Sequence, residues 1–374
     1  MIHTTSPDRR WAAALGLLGI ALLAHCSADE DDPGAATSTA GSAGESTGGT
    51  SGAGGAPGGS AAAGGGAGGG GTVPRDTFYV DGSTLRDPCG EPVVLRGANK
   101  GSAFPGDQDQ TYLPGLAQTG ANAARFTFRV QYNNSSAEDV DTALQAARDH
   151  HMVGIPALWD ATGDWSQLGF AVDFWLDAAM VAVLQQHQGH TLLNIANEPG
   201  QSSVTDEQFR TEYSDALSRL RAAGLHMPIV IDAANWGRNE AYLLDNGAYL
   251  LQQDPDHNVI FSWHPWDTNQ PASRYETAFD AAQSLGLCLI VGEFSSVGVN
   301  YTAPIDYQSI MQLAQQKGIG WLWWWWRSDD GHALTDDGVY GHWVNAGEEV
   351  VVSSAFGIEQ TSQRSDYLTQ GSCE

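Results

Sequence analysis

Thr191-Leu192-Leu193-Asn194-Ile195-Ala196-Asn197-Glu198-Pro199 is an apolar run of strand type that ends abruptly in Asn-Glu-Pro. Leu192, Leu193, Ile195 and Ala196 suit a strand buried on both faces, as in a parallel sheet. Pro199 has no N–H to extend a ladder, so the strand is expected to stop with a carboxylate at its C-terminal tip. Cys288-Leu289-Ile290-Val291-Gly292-Glu293-Phe294 repeats the form, a short apolar run closing on a glutamate. Two glutamates at the ends of two buried parallel strands predict paired-carboxylate chemistry at one mouth of a barrel.

Outward from these two stretches, the chain from Thr77 onward alternates strand and helix signals. Residues 78–82 and 92–95 flank turn residues and predict a small hairpin before the main fold. Eight strands are predicted over 93–98, 123–129, 152–160, 191–199, 227–236, 258–266, 288–296 and 320–327. Helical spacing marks 137–151, where Val140, Ala143, Leu144 and Ala147 share a face, and also 171–187 and 207–223. Gly224 and Gly286 read as helix C-terminal caps. Eight strand–helix repeats predict one α/β domain, a (β/α)8 TIM barrel over 76–374.

The segments before the barrel read differently. Arg9 and Arg10 precede an apolar run from Trp11 to Ala24 that is too short for a bilayer span and looks like an export signal over 1–26. It ends in Leu23-Ala24-His25-Cys26, which resembles a lipoprotein cleavage box with Cys26 as the lipidated residue, although His25 stands where a small residue is expected. Residues 27–75 are Gly, Ala, Ser and Thr with few large apolar side chains, a composition that predicts a disordered tether with a mean reach of roughly 35–40 Å. Export permits disulfides. Pairing Cys89 with Cys373 would fasten both ends of the domain, and Cys288, at the start of a buried strand, reads as a free core thiol. A formal charge of −27 argues against nucleic acid or anionic membrane surfaces as partners. Thirteen tryptophans in so weakly charged a chain suggest stacking platforms for flat ligands if they gather at strand ends.

Barrel enzymes carry their chemistry at the C-terminal ends of strands. Those ends are, in order, Asn99, Arg125 and Arg129, Trp159 and Asp160, Asn197 and Glu198, Asn235 and Trp236, His264 and Trp266, Glu293, and Trp326. They show no cluster of several histidines and no Gly-rich phosphate loop, so neither a metal nor a cofactor is expected, and phosphoryl and hydride transfer are disfavoured.

The set Arg125, Asn197-Glu198-Pro199, His264, Gly292-Glu293-Phe294 and Trp326 resembles glycoside hydrolase family 5, retaining (β/α)8 enzymes with glutamates on strands four and seven. The likeness runs from about Phe78 to about Gly338. Longer stretches are similar to the bacterial β-mannanase branch: Trp159-Asp160-Ala161-Thr162-Gly163, Ala171-Val172-Asp173-Phe174-Trp175, Leu193-Asn194-Ile195-Ala196-Asn197-Glu198, and Ile231-Asp232-Ala233-Ala234 with Trp236-Gly237. The resemblance implies Glu198 as general acid/base and Glu293 as nucleophile, with their carboxyls about 5–5.5 Å apart. It implies that Arg125 favours the ionised nucleophile, that Asn197 donates to the sugar 2-OH, that His264 lies near the reaction centre and that Trp326 stacks beneath the sugar. Trp159, Trp236 and Trp266 are candidate subsite walls, and a cis peptide after the platform tryptophan would fall at Trp326–Arg327.

Departures from that pattern bear on the substrate. Relatives usually carry His at Trp159, an aromatic at Pro199, a further His within 99–104, and Tyr at Trp266, whose indole has no O–H to offer the nucleophile. The implied activity is hydrolysis of a β-1,4-linked polysaccharide, first as an endo-β-1,4-mannanase and second as an endo-β-1,4-glucanase. The implied protein is a monomer that meets the membrane only through its lipid tether. A carbohydrate-binding surface lipoprotein that has lost turnover is the rival of a different class.

Overall fold

The computed structural model describes residues 76–101 and 112–373. The expected export signal with Cys26 and the tether over 27–75 lie outside the described residues. A hairpin of β1 (Tyr79–Asp81) and β2 (Thr84–Arg86) comes first. The predicted second strand at 92–95 is not its partner. Gly82 turns the chain at φ +60° immediately after β1, so the return strand comes earlier, and Pro92 makes only an isolated bridge to Arg86.

Eight parallel strands then close into a barrel: β3 (Arg96–Gly101), β4 (Ala123–Phe128), β5 (Val153–Leu158), β6 (Leu193–Asn194), β7 (Ile229–Asp232), β8 (Val259–Trp263), β9 (Cys288–Val291) and β10 (Gly320–Trp323). β10 pairs in parallel with both β9 and β3, which leaves the sheet without an edge. Between strands run α1 (Leu113–Gln118), α2 (Val130–Asn133), α3 (Ala137–Asp149), α4 (Leu168–Trp175), α5 (Ala178–Gln186), α6 (Asp206–Ala222), α7 (Ala241–Gln253), α8 (Ala272–Ser284) and α9 (Tyr307–Lys317), followed by the short α10 (Ile358–Thr361) and α11 (Asp366–Gln370). Ser136 with Asp139, and Thr205 with Gln208, form capping boxes that start α3 and α6. Gly224 and Gly286 follow α6 and α8 at positive φ, as their positions in the sequence suggested.

Two expectations change in detail. The single helix predicted over 171–187 is two helices broken at Leu176-Asp177, because the Asp177 carboxylate accepts from the Ala179 N–H and starts a new N-terminus. The fourth strand is regular only at Leu193–Asn194, so Glu198 sits beyond the ladder on irregular backbone at φ +43°. Among the described residues no single helix is long and apolar enough to cross a membrane.

Strand alternation divides the barrel interior into levels. Ala123, Val153, Ile155, Leu192, Val230, Ile260, Cys288, Ile290 and Leu322 fill it as one apolar cluster, closed below by Phe78, Leu85, Leu95, Tyr367 and Leu368. Two residues further along four of these strands the same inward face turns polar: Arg125 after Ala123, Asn194 after Leu192, Asp232 after Val230, Ser262 after Ile260. An apolar floor thus carries a polar ceiling at the C-terminal mouth. Cys288 is free and buried, and burial pushes its thiol up to about 12.

Cys89 and Cys373 are joined, with their Cα atoms 5.3 Å apart at a sequence separation of 284. A cross-link over so long a loop removes much denatured-chain entropy. Cys89→Ser is therefore expected to cost about 2–5 kcal/mol of unfolding free energy while leaving the far-UV circular dichroism unchanged. Identical melting of the oxidised and reduced protein would contradict it.

Candidate active site

Arg125 stands at the centre of the polar ceiling with 1% exposure of its side chain. Its Nη1 donates to Glu293 Oε1 at 2.7 Å and to Asn99 Oδ1 at 2.9 Å. Its Nη2 donates to Asn197 Oδ1 at 2.7 Å, Asn194 Oδ1 at 2.8 Å and Asp232 Oδ2 at 3.2 Å, and Nε also reaches Asn194. A buried guanidinium needs every donor met, and five residues from four strands supply the acceptors. Asn197 is held from its other end as well, its Nδ2 donating to Thr162 Oγ1 at 3.0 Å.

Glu198, His264 and Glu293 meet above this layer. His264 Nδ1 is 2.8 Å from Glu198 Oε1 and 3.6 Å from Glu293 Oε2. One carboxylate oxygen of each glutamate and a ring nitrogen of the histidine all lie within 4.8 Å of one another, the one such convergence of His, Cys, Asp and Glu among the described residues. Gly292 is required beneath them, since a Cβ there would stand 2.2 Å from Ser262 Oγ and 2.6 Å from His264 Nε2. Burial pushes the Glu198 carboxyl well above the usual range, the charges of Glu293 and Asp232 add to this, and Arg125 and Arg238 oppose it. Glu293 is pushed up to about 7 by burial, with Arg125 and the Trp266 N–H holding it back. Burial, helped by the charge of Arg125, keeps His264 well below its ordinary pKa and hence neutral.

The aromatic walls partly follow the expectation. Trp266 is nearly buried, and its Nε1–H donates to Glu293 Oε2 at 3.3 Å. The replacement of tyrosine therefore does not cost Glu293 its donor, because the indole N–H reaches where an O–H was expected. Trp236 is half-buried at φ +54°, with the Arg238 guanidinium 5.5 Å from its ring. Trp159 stacks on Trp324 at 5.4 Å and 14°, while Arg129 lies over Tyr132.

Trp326 is not a platform. Its side chain is fully buried, packs edge-on against Trp343 and donates from Nε1 to the Gly338 carbonyl at 3.2 Å. The strand ends at Trp323, so inward–outward alternation stops before Trp326, and Trp324, which stacks on Trp159, keeps 8% exposure where Trp326 has none. The cis peptide is Trp324–Trp325 rather than Trp326–Arg327. Asp160 caps α2, accepting from the N–H groups of Val130 and Gln131 at 2.8 and 2.9 Å. Sequence reading passed over Asp232, Asn194 and Ser262, which lie one level below the tips. Their signal was a polar residue on the inward face of an otherwise apolar strand.

Two buried carboxyls at the C-terminal mouth of a (β/α)8 barrel, one gripped by a guanidinium and the other by a neutral imidazole, define a glycosidase site. Their oxygens lie closer than the roughly 6.5–9.5 Å that inverting enzymes leave for a water. The family described as cellulase (glycosyl hydrolase family 5) matches residues 87–330. The chain is 32% identical over 302 residues to a mannan endo-1,4-beta-mannosidase of Salipaludibacillus agaradhaerens, covering 78% of this chain and 96% of that one. It is 30% identical over 301 residues to another of Cellvibrio japonicus, covering 77% and 68%. Among solved structures it superposes on a beta-mannanase from Thermomonospora fusca with a TM-score of 0.72 at 25% identity, covering 78% of this chain and 99% of that one. The chain belongs to glycosyl hydrolase family 5 and is a glycoside hydrolase.

The site geometry makes two predictions. The pair titrates jointly, so kcat/KM is expected to be bell-shaped: it falls below about 7 as Glu293 takes up a proton, and again at high pH as Glu198 loses one. Glu198→Ala should remove the basic limb on an activated aryl glycoside, which needs no acid; a persisting limb assigns that titration elsewhere. Trp266→Phe keeps the ring but deletes the N–H that steadies ionised Glu293. It should move the acid limb to higher pH and lower kcat/KM about 10-fold, the worth of one hydrogen bond to a charge, and Trp266→Tyr should restore most of both. An unmoved limb in Trp266→Phe would show that the N–H does not act on Glu293.

Proposed function

We propose that the protein is a retaining endo-β-1,4-mannanase in which Glu293 is the nucleophile and Glu198 the general acid/base. One observation carries the assignment of roles. Arg125 donates to Glu293 and makes no hydrogen bond to Glu198, whereas Glu198 faces a neutral histidine. The carboxyl beside the guanidinium is the one to stay ionised, and the other holds the proton.

In the first step the Glu293 carboxylate attacks the anomeric carbon as the glycosidic C–O bond breaks, and the Glu198 proton passes to the leaving oxygen. In the second, water attacks the same carbon, Glu198 takes its proton, and the bond to Glu293 breaks with net retention. Arg125, Asn197 and His264 keep both carboxyls in register, and Trp159, Trp236, Trp266 and Trp324 form the walls against which sugar rings pack. Mannan is favoured as the substrate because both curated relatives named above carry that activity in their names. The Cys89–Cys373 disulfide favours an oxidising compartment and thus export, with Cys26 as the anchor of a monomeric enzyme.

Reducing-end release from mannan, glucomannan and carboxymethyl-cellulose, with Glu293→Ala as control, tests this reading. Mannan turnover absent from the control is expected. Turnover of cellulose alone would keep the mechanism and replace the substrate, and binding without turnover on any of the three would favour a carbohydrate-binding role.

A further inference from the structure

A third carboxylate, Asp232 at the inward end of β7, lies beneath the pair and is fully buried. Its hydrogen bonds run to Arg125, Asn194 and Glu198. Asp232 Oδ2 accepts from Arg125 Nη2 at 3.2 Å and from the backbone N–H of Glu198 at 3.1 Å. Its Oδ1 accepts from Asn194 Nδ2 at 3.2 Å. His264 Nε2 lies 3.1 Å from Ser262 Oγ and 3.6 Å from Asp232 Oδ2.

The Asp232 carboxylate biases the tautomer of His264. A buried anion 3.6 Å from Nε2 favours the imidazole hydrogen on that nitrogen, where Ser262 Oγ at 3.1 Å can accept it. Nδ1 then presents a lone pair to Glu198 Oε1 at 2.8 Å, a distance at which two lone pairs repel. The carboxyl of Glu198 must supply the hydrogen. Asp232 also holds the Glu198 main chain in its left-handed conformation by accepting the N–H at that residue.

We infer that Asp232 is a positioning residue which, through His264 and the Glu198 main chain, keeps Glu198 in place as the protonated acid. The inference rests on the acid/base role proposed for Glu198. Charged and titratable groups facing Glu198 are Glu293, Asp232, Arg125, Arg238 and His264, and those facing Asp232 are Arg125, Glu198, His264 and, from α6, Tyr213. Burial raises the Asp232 carboxyl, while Arg125, the Glu198 N–H, Ser262 and Asn194 hold it back.

Asp232→Asn removes one negative charge near Glu198. A neutral amide at this position also removes the charge that favours hydrogen on His264 Nε2, which allows the tautomer with an N–H against Glu198. Both effects favour ionised Glu198. The basic limb of kcat/KM is expected to move to lower pH by about one unit. kcat/KM on mannan should fall roughly 100-fold, the scale of general-acid catalysis, and fall less than 10-fold on 2,4-dinitrophenyl β-mannobioside, whose leaving group needs no proton. Ser262→Ala, a smaller change to the packing, should show the same dependence on leaving group at lower amplitude. Folding of each variant is checked by its melting transition. Equal losses on both substrates with an unmoved limb would overturn the inference while leaving the glycosidase reading intact. A wild-type protein inactive on both substrates would remove that reading, and the inference with it.

Discussion

The guanidinium of Arg125 is the fastening on which the site depends. An unpaired charge in the lumen of a barrel would be prohibitively costly, and it is tolerated here because acceptors from β3, β6, β7 and the tips beyond β6 and β9 meet its donors. The same contacts tie those strand ends together. They also set the charge balance. Three carboxyls, Glu198, Asp232 and Glu293, face this one permanent cation, so full ionisation would leave two uncompensated negative charges where water is scarce. Asp232 and Glu293 receive hydrogen bonds from Arg125 directly and Glu198 does not. A proton shared among the three therefore comes to rest on Glu198.

Stability and chemistry occupy opposite ends of the barrel. The floor is apolar, covered from below by Phe78, Leu85, Leu95, Tyr367 and Leu368, and the Cys89–Cys373 link joins the segments that carry those residues. The ceiling places carboxyls with raised pKa values side by side, an arrangement that costs folding free energy as they ionise. A fold can sustain such a cluster when its remaining levels obey local rules of packing and hydrogen bonding.

Much of this was legible in the sequence because strand tips are punctuated. Pro199 after Glu198 and Gly292 before Glu293 mark where two apolar runs stop, and the barrel followed from eight such runs separated by helical spacing. Other features were hidden for identifiable reasons. Asp232 sits one level below its tip, within an apolar Ile-Val-Ile run, and only period-two alternation aligns it with Arg125 and Ser262. The break at Leu176-Asp177 was masked by apolar spacing that continues through it, although an aspartate at that point is a capping residue. Trp326 was misplaced because alternation holds only while the strand lasts, and the run of indoles conceals its end at Trp323.

The departures from the family pattern show what constrains such a site. Trp266 replaces a phenol, yet its N–H reaches Glu293 Oε2. Pro199 replaces an aromatic and forms a bridge with Thr162, whose hydroxyl accepts from Asn197. Trp159 stacks on Trp324 across the mouth from the far side of β3 and β4. In the first case a hydrogen-bonding position at the site is met by a different chemical group. What the chemistry demands is a donor or an acceptor at a given point, and the identity of the side chain that delivers it is secondary. Wall residues can then change with the sugar they face while the lumen network, in which each group satisfies several others at once, stays as it is.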